Sequence, residues 1–365
     1  MTYWLTWMTE RKIHRFLMYL LRLGLWARPG QEEVAALDAA EWNELYRHAQ
    51  KHTIEGIVFD GLQHLPAEML PPRALLLKWA VRIDQIERHN RQMADVMKTQ
   101  LRLFNAAGIF PVLLKGQGVA ACYPQPEHRI SGDVDWYFDS TDEYRRANEL
   151  IRNKGVAVYQ TAGWSAEYSW QGIVVEHHQR MFDIHNPFCY SYLNALQKQF
   201  YPERLKRGLG DTTLILPAPA LMMLQVNVHI LKHLLGFGLG MRQLCDAARV
   251  YHTYAPVVDG QELEQIYQRL GILKWVHLLH AVLLKFIGLP VTSLPFPLPE
   301  GITADWMMEE IWCSGNFGFF DDRFEAARDE SSRKIWTNVQ KYVRYAPMEA
   351  LSFPLIQFLS RFTKS

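Results

Sequence analysis

Cysteine is scarce and scattered. Cys122, Cys189, Cys245 and Cys313 are the only four in 365 residues. They form no CxxC pair and no short framework, which excludes a disulfide-stapled secreted scaffold and leaves free thiols in a reducing cytosol as the expectation. An excess of one charge sign is also missing: 39 Lys and Arg against 38 Asp and Glu give a formal charge of +1. A dedicated polynucleotide binder draws its affinity from surplus Lys and Arg, so nucleic acid is not an expected partner. No signal-peptide run forms at the start, because Glu10, Arg11, Lys12, His14, Arg15 and Arg22 interrupt the apolar residues, and an amphipathic helix is expected there instead. The longest stretch free of Asp, Glu, Lys and Arg, Thr212 to Leu231, carries Pro217, Pro219, Gln225, Asn227 and His229. It reads as a buried helix entered through prolines, and no membrane partner is expected. Internal repeats, low-complexity tracts, G-x-S-x-G, the P-loop and G-x-G-x-x-G are all absent.

What is present is the composition of a globular protein, 49% hydrophobic and 21% charged, with 18 Phe, 12 Trp and 16 Tyr to fill more than one core. Residues 1–108 show apolar positions at helical spacing, with Pro71-Pro72 as punctuation and Arg82 to Gly108 as a long helix with a glycine stop. Residues 109–215 change pattern. IFPVLLKG, DVDWYF and IVVEHHQRMF are short, rich in Val, Ile and aromatics, and separated by turn formers, as strands of a small sheet are. Asp142 to Gly155 sits among them as an amphipathic helix. Residues 216–365 return to helical spacing, broken by a proline-rich loop from Gly288 to Gly301. The expected fold is α+β: a small mixed β-sheet core with helices, flanked by N- and C-terminal helical regions.

The chemistry concentrates in Leu113 to Phe138, LLKGQGVAACYPQPEHRISGDVDWYF. Asp133 and Asp135 lie two apart in an apolar strand, so both carboxylates face the same way, roughly 6.6 Å apart. Two anions at that separation repel by about 2.5 kcal/mol at an effective dielectric of ~20, and a bound divalent cation would reverse the sign. A D-x-D pair alone is a weak signal, and its context strengthens it. Gly116 and Gly118 allow close backbone approach to a phosphate at the start of an expected short helix, while Lys115, Arg129 and Ser131 add two cations and a hydroxyl next to Gly132. The bland alternative for Lys115 and Arg129 is that they pair with Asp133 and Asp135. A two-metal site needs a third acid, and Glu176 in GIVVEHHQRMFDIH follows three apolar residues, where an unpartnered carboxylate would be costly. In a strand it shares a face with His178 and Arg180. Asp183 competes for the part but reads better as a solvated residue or cap. His229 and His233 read as core or capping residues, Arg242 and Asp246 as an i, i+4 pair with Arg242 able to reach a substrate pocket.

In combination, LLKG, R-x-S-G-D-V-D-W-Y and V-V-E-x-H-Q-R resemble the bacterial nucleotidyltransferase-like family with an LKG, R-x-S-G-D-[IV]-D and E-x-H-W-R signature, a branch of the polymerase-beta-type superfamily. The later LKHLLGFGLGMRQLCDAARVY is similar to that family's H-x(n)-R-x-L-x-D segment, so the resemblance spans roughly residues 20–255. It implies that Asp133, Asp135 and Glu176 are the catalytic, metal-binding acids for Mg²⁺ or Mn²⁺. Lys115, Gly116, Arg129, Ser131, Gly132, His178 and Arg242 would then bind an NTP and a hydroxyl-bearing acceptor. Two departures stand out: Gln117 follows Gly116 where the wider superfamily has serine or glycine, and Gln179 stands where Trp is usual. The expectation is a cytoplasmic, metal-dependent nucleotidyltransferase, with a nucleotide-binding protein that kept the fold, or a metal-dependent phosphohydrolase, as the alternatives.

Overall fold

The computed structural model describes residues 2–27, 34–161, 164–236, 238–316 and 330–360. The helical spacing expected over 317–329 and 361–365 lies outside them. Helices α1 (Thr2–Trp26), α2 (Ala39–Lys51), α3 (Glu55–Leu62) and α4 (Arg73–Ala106) form the N-terminal part. Asp38 starts α2 with a capping box: its side chain accepts from the Ala40 and Glu41 amides, and Glu41 accepts from the Asp38 amide. Helices α1 and α3 cross closely because glycine sits at the contact. A Cβ added to Gly24 would fall 1.9 Å from the Ile57 carbonyl oxygen. Helix α4 ends before Gly108 as expected but begins at Arg73, directly after Pro72, and not at Arg82.

The strands are β1 (Val112–Leu113), β2 (Asp133–Tyr137), β3 (Tyr159–Thr161), β4 (Ser165–Trp170), β5 (Ile173–His178), β6 (Leu205–Leu209) and β7 (Thr212–Leu216). Helices α5 (Lys115–Ala120), α6 (Thr141–Arg152) and α7 (Tyr190–Gln199) lie between them. The seven strands form one mixed sheet in the order β3-β4-β5-β2-β1-β7-β6, with β2–β5 and β1–β7 parallel and the rest antiparallel. Helices α8 (Pro219–Leu235), α9 (Met241–Tyr254), α10 (Gly260–Arg269), α11 (Leu273–Val282), α12 (Asp305–Ser314), α13 (Glu330–Tyr342) and α14 (Pro347–Ser360) complete the chain. The fold is α+β, a mixed sheet with helices between helical flanks. None of the described helices is long and apolar enough to cross a membrane. The charge-free stretch from Thr212 to Leu231 divides at its prolines: Thr212–Leu216 pairs with β6, and the buried helix, entered through prolines as expected, starts at Pro219. Pro217 and Pro219 separate the two, and Thr-Thr-Leu-Ile-Leu has the β-branched, alternating content of a strand.

Alternation along β2 and β5 gives the sheet two different faces. On one, Trp136 Nε1 donates to Gln100 of α4 at 2.7 Å, Gln100 donates to the Tyr168 hydroxyl at 2.9 Å, Tyr168 bonds His177 at 2.8 Å, and His177 bonds Asn148 of α6 at 2.7 Å. All five are buried. One assignment satisfies every group: Tyr168 O–H donates to His177 Nε2, and His177 Nδ1–H donates to Asn148. The chain ties β2, β4 and β5 to both helices behind them.

The other face carries the acids and is roofed by α8 and α9. Its anchor is Arg129, just before β2. Its Nε and Nη2 each donate to one Asp246 oxygen at 2.7 Å, the Tyr123 hydroxyl donates to the same carboxylate at 2.7 Å, and Nη1 donates to Ser131 Oγ at 2.9 Å. This pair replaces the expected Arg242–Asp246 pair, because the planar fork of Arg129 takes both oxygens at once. Arg242 instead donates to the Ile130 carbonyl at 2.6 Å.

Two consequences can be measured. Asp246→Ala strands a buried guanidinium and should cost about 3–5 kcal/mol by urea unfolding, whereas the double change Arg129→Met with Asp246→Leu should recover most of that loss. Separately, burial lowers the pKa of His52, His177 and His280 to about 3 each, below the 6.5 of an unfolded chain. Between those values the unfolded chain holds protons that the folded one excludes. Stability is therefore lost as pH falls below 6.5, by about 1.4 kcal/mol per pH unit for each group. His52→Leu should flatten the difference in unfolding free energy between pH 7.5 and pH 5 relative to the parent protein.

Candidate active site

The parallel pairing of β2 with β5 sets Asp135 opposite Glu176 and Asp133 opposite Val174, and the antiparallel pairing of β5 with β4 sets Glu176 opposite Glu167. Three carboxylates on three neighbouring strands thus share one register. Asp135 is 2% exposed and compensated twice: Lys115 Nζ lies 3.2 Å from Oδ1, and His178 Nε2 bonds the same oxygen at 2.8 Å. His178 also reaches Glu176 at 3.3 Å. Asp135, Glu176 and His178 offer ligand atoms that all lie within 4.8 Å of one another.

The protonation states follow from this crowding. Burial alone would push Asp135 up, but Lys115 and His178 hold it well below the usual carboxylate range. Glu176 is lowered, chiefly by its hydrogen bond to His178. Burial opposes the charge on His178, yet its bonds to the two acids raise its pKa to about 9. Lys115 is likewise buried, and four acids led by Asp135 raise it nonetheless. Asp133 differs: repulsion by Asp135, with burial second, pushes it up to about 6, and its carboxylate has no hydrogen bond or ion pair among the described residues. A donor set of carboxylates with one acid lacking a direct ion pair fits a hard divalent cation such as Mg²⁺ or Mn²⁺.

The acids line a cavity of about 270 Å³ together with Lys115, Gly116, Arg129, Gly132 and Arg242. Gly116 turns at φ +50, and a Cβ there would stand 3.3 Å from the Asp133 carbonyl oxygen. Gln117, in the place of the superfamily's serine, points away: its amide bonds Asn90 of α4 at 2.9 Å and Ser131 at 3.3 Å. Ser131 is buried beneath the loop between Gln117 and Arg129. Of the residues expected to bind substrate, Lys115, Gly116, Gly132 and Arg242 face the cavity directly. Arg129 lines it while committed to Asp246, Ser131 supports the loop, and His178 stands among the acids. Burial and the neighbouring Arg129 lower the Arg242 pKa, and its Nε is buried without a hydrogen-bond partner among the described residues.

The opposite wall was not read from the sequence. His229, Lys232 and His233 of α8 line the same cavity. Asp183, expected to be solvated, is held between Lys232 Nζ at 2.7 Å and His229 Nδ1 at 2.9 Å, and His233 lies 3.1 Å from His229. Despite burial, Lys232 and His229 keep Asp183 well below its ordinary pKa, while burial and Lys115 lower His229 to about 4. The available signal was the i, i+3, i+4 spacing of three basic side chains on an otherwise apolar helix. Arg180, expected on the face of Glu176 and His178, lies beyond the end of β5 and stacks between Trp164 and Tyr190.

No curated protein and no solved structure matches the chain. A family of uncharacterised nucleotidyltransferases does, over residues 38–288. The matched span begins and ends later than the resemblance expected, and holds the whole sheet and both roofing helices, leaving α12, α13 and α14 beyond it. With more than half of its residues inside that match, the chain belongs to this family of uncharacterised nucleotidyltransferases.

Proposed function

We propose that the protein is a metal-dependent nucleotidyltransferase that moves a nucleoside monophosphate from an NTP to an acceptor hydroxyl. The observation that carries this reading is the register of Asp135 with Glu176 beside an Asp133 without a direct ion pair, facing a cavity with cations on its other walls. Asp133, Asp135 and Glu176 would hold Mg²⁺ or Mn²⁺, which supplies positive charge to the phosphates and lowers the pKa of a bound hydroxyl. The chain's own groups do the rest. Lys115, Arg242 and Lys232 place positive charge where the triphosphate lies, and Gly116 lets it approach the backbone. Arg129 acts at one remove, since its clamp on Asp246 fixes the loop leading into β2 and the helix that carries Arg242. In the transfer, the acceptor oxygen forms a bond to the α-phosphorus, the bond from that phosphorus to the bridging oxygen of the β-phosphate breaks, and pyrophosphate leaves. The acceptor's proton passes to a carboxylate of the site, Glu176 being the one nearest the open side.

All four cysteines are free, which suits a protein working in a reducing cytosol.

Calorimetry with each Mg²⁺·NTP should give saturable heat for at least one nucleotide. Asp135→Asn should weaken that binding and reduce transfer by about 100- to 1000-fold, the scale on which one charged element of such a site acts. Circular dichroism should show the variant folded, because Asn keeps the volume and an accepting oxygen for His178, while Asp133, Asp183 and Glu176 still act on Lys115. Unchanged binding heat in Asp135→Asn would sink the assignment.

A further inference from the structure

A second cavity, of about 320 Å³, opens on the far side of Glu176. It shares Glu176 and Lys232 with the first cavity and nothing else. Its floor continues along the sheet, from His178 and Glu176 on β5 to Ser165 and Glu167 on β4 and Thr161 on β3. We infer that this second cavity is the acceptor site, and that it takes a small, uncharged, carbohydrate-like polyol. The inference rests on the nucleotidyl-transfer reading above.

The placement follows from the geometry of displacement at phosphorus, in which the attacking and leaving oxygens stand on opposite sides. Lys115, Gly116, Arg242 and His233 belong to the first cavity alone, so the leaving pyrophosphate lies over β1 and α5. The α-phosphate then sits over the acids of β2, and the attacking hydroxyl must come from the β5 and β4 side. Strand order makes that direction the second cavity. Glu176 stands at the junction, where a carboxylate can take the proton of an entering hydroxyl.

The chemical class follows from what faces the space. Trp164 is 43% exposed, and its other side is covered by the Arg180 guanidinium, 3.2 Å from the ring centroid. The backing fixes the indole plane, and Tyr190 covers the other face of that guanidinium at 4.0 Å. A rigid aromatic platform beside carboxylates and hydroxyls binds a ring that is apolar on its face and hydroxylated at its rim. Glu167 has no hydrogen-bond or ion-pair partner among the described residues and continues the acidic row of Asp135 and Glu176. Thr161 and Ser165 share a hydrogen bond of 2.7 Å at its edge. Such a row accepts hydroxyl protons, and with Arg180, Lys232 and His178 set against Glu167, Glu176 and Asp183 the lining has no excess of either sign to draw a charged acceptor.

The remaining wall comes from outside the family-matched span. Ile356 of α14 lines the second cavity. Glu349, at the start of that helix and 3% exposed, accepts from the backbone N–H of His185 and Asn186 at 2.8 and 2.7 Å, and Phe353 packs on the His185 ring. Helix α14 is thereby strapped over the segment that follows β5, and it sets the acceptor's size.

The test uses the full chain, [α-³²P]-labelled NTPs with Mg²⁺, and the low-molecular-weight and protein fractions of an extract of the cells that make it. Two variants, Ile356→Trp and Trp164→Ala, are compared with the parent protein. Mg²⁺·NTP affinity should stay within about twofold, while label entering a small product, released again as NMP by phosphodiesterase, should fall about tenfold or more in each. Two variants keep the result readable if one misfolds. The acceptor site is overturned if both folded variants label as fast as the parent, or if both lose NTP affinity in proportion. Label found in protein, or no small product from a parent protein that binds Mg²⁺·NTP, overturns the small-polyol class. A parent protein that binds no NTP instead removes the transfer reading on which the site rests.

Discussion

The molecule is organised around an unfavourable contact. Parallel strands place Asp135 and Glu176 side by side, at a strand spacing of ~4.8 Å, where two carboxylates repel by roughly 3.5 kcal/mol at an effective dielectric of 20. A fold keeps such a pair only if something supplies positive charge at that point. Lys115 and His178 do so for Asp135 and Glu176, and Lys232 with His229 does so for Asp183. Asp133 has no ion pair or hydrogen bond among the described residues, and Lys115 and Arg242 act on it only from a distance, too weakly to offset Asp135. The cavity thus sets four cations, Lys115, Arg129, Lys232 and Arg242, against four acids, and Asp133 is the acid among them held without a direct partner.

Holding like charges together requires a rigid frame on both faces of the sheet. Behind the acids, the chain of bonds from Gln100 through Tyr168 and His177 to Asn148 fixes the mutual register of β2, β5 and β4. A slip of one residue would turn the acids into the apolar layer and the apolar residues outward. In front, the Arg129–Asp246 pair fixes the loop before β2 to α9. A buried ion pair of this kind adds little net stability over an apolar substitute. Its value here is in orientation, because it presets where Arg242 and the Gly132 turn stand relative to the acids.

The acidic strand was legible because it rests on local rules: alternation, a turn glycine, and apolar residues flanking carboxylates that would otherwise be exposed or costly. The partner of each cation was not. Arg129 and Asp246 are 117 positions apart, and nothing in either neighbourhood specifies the other. Asp183 failed for the same reason, since its neutralisation depends on α8 folding back over the sheet. Thr212–Leu216 was not among the expected strands because a short apolar run at the junction of two elements carries little period of its own. The reading of Arg180 failed differently. Strand alternation was extended two residues past the end of β5, where stacking on Trp164 and Tyr190 takes over.

Gln117 shows how the site adapts a common plan. Where a serine hydroxyl would face the phosphates, this chain has a longer amide that turns inward to Asn90 and Ser131 and so braces the loop on α4. The turn keeps its glycine, since Gly116 adopts φ +50 against the Asp133 carbonyl, but it gives up a phosphate-facing hydroxyl. Compensation comes from side chains on the roof. Lys232 and Arg242 reach the cavity from α8 and α9, and Arg242 keeps a buried Nε without a partner, a cost of about 1–3 kcal/mol for a neutral group and more for a charged one. A donor left unpaired at that cost, on the wall facing the acids, is best accounted for by an anion that completes it. The helical roof is therefore as much a part of the cavity wall as the sheet.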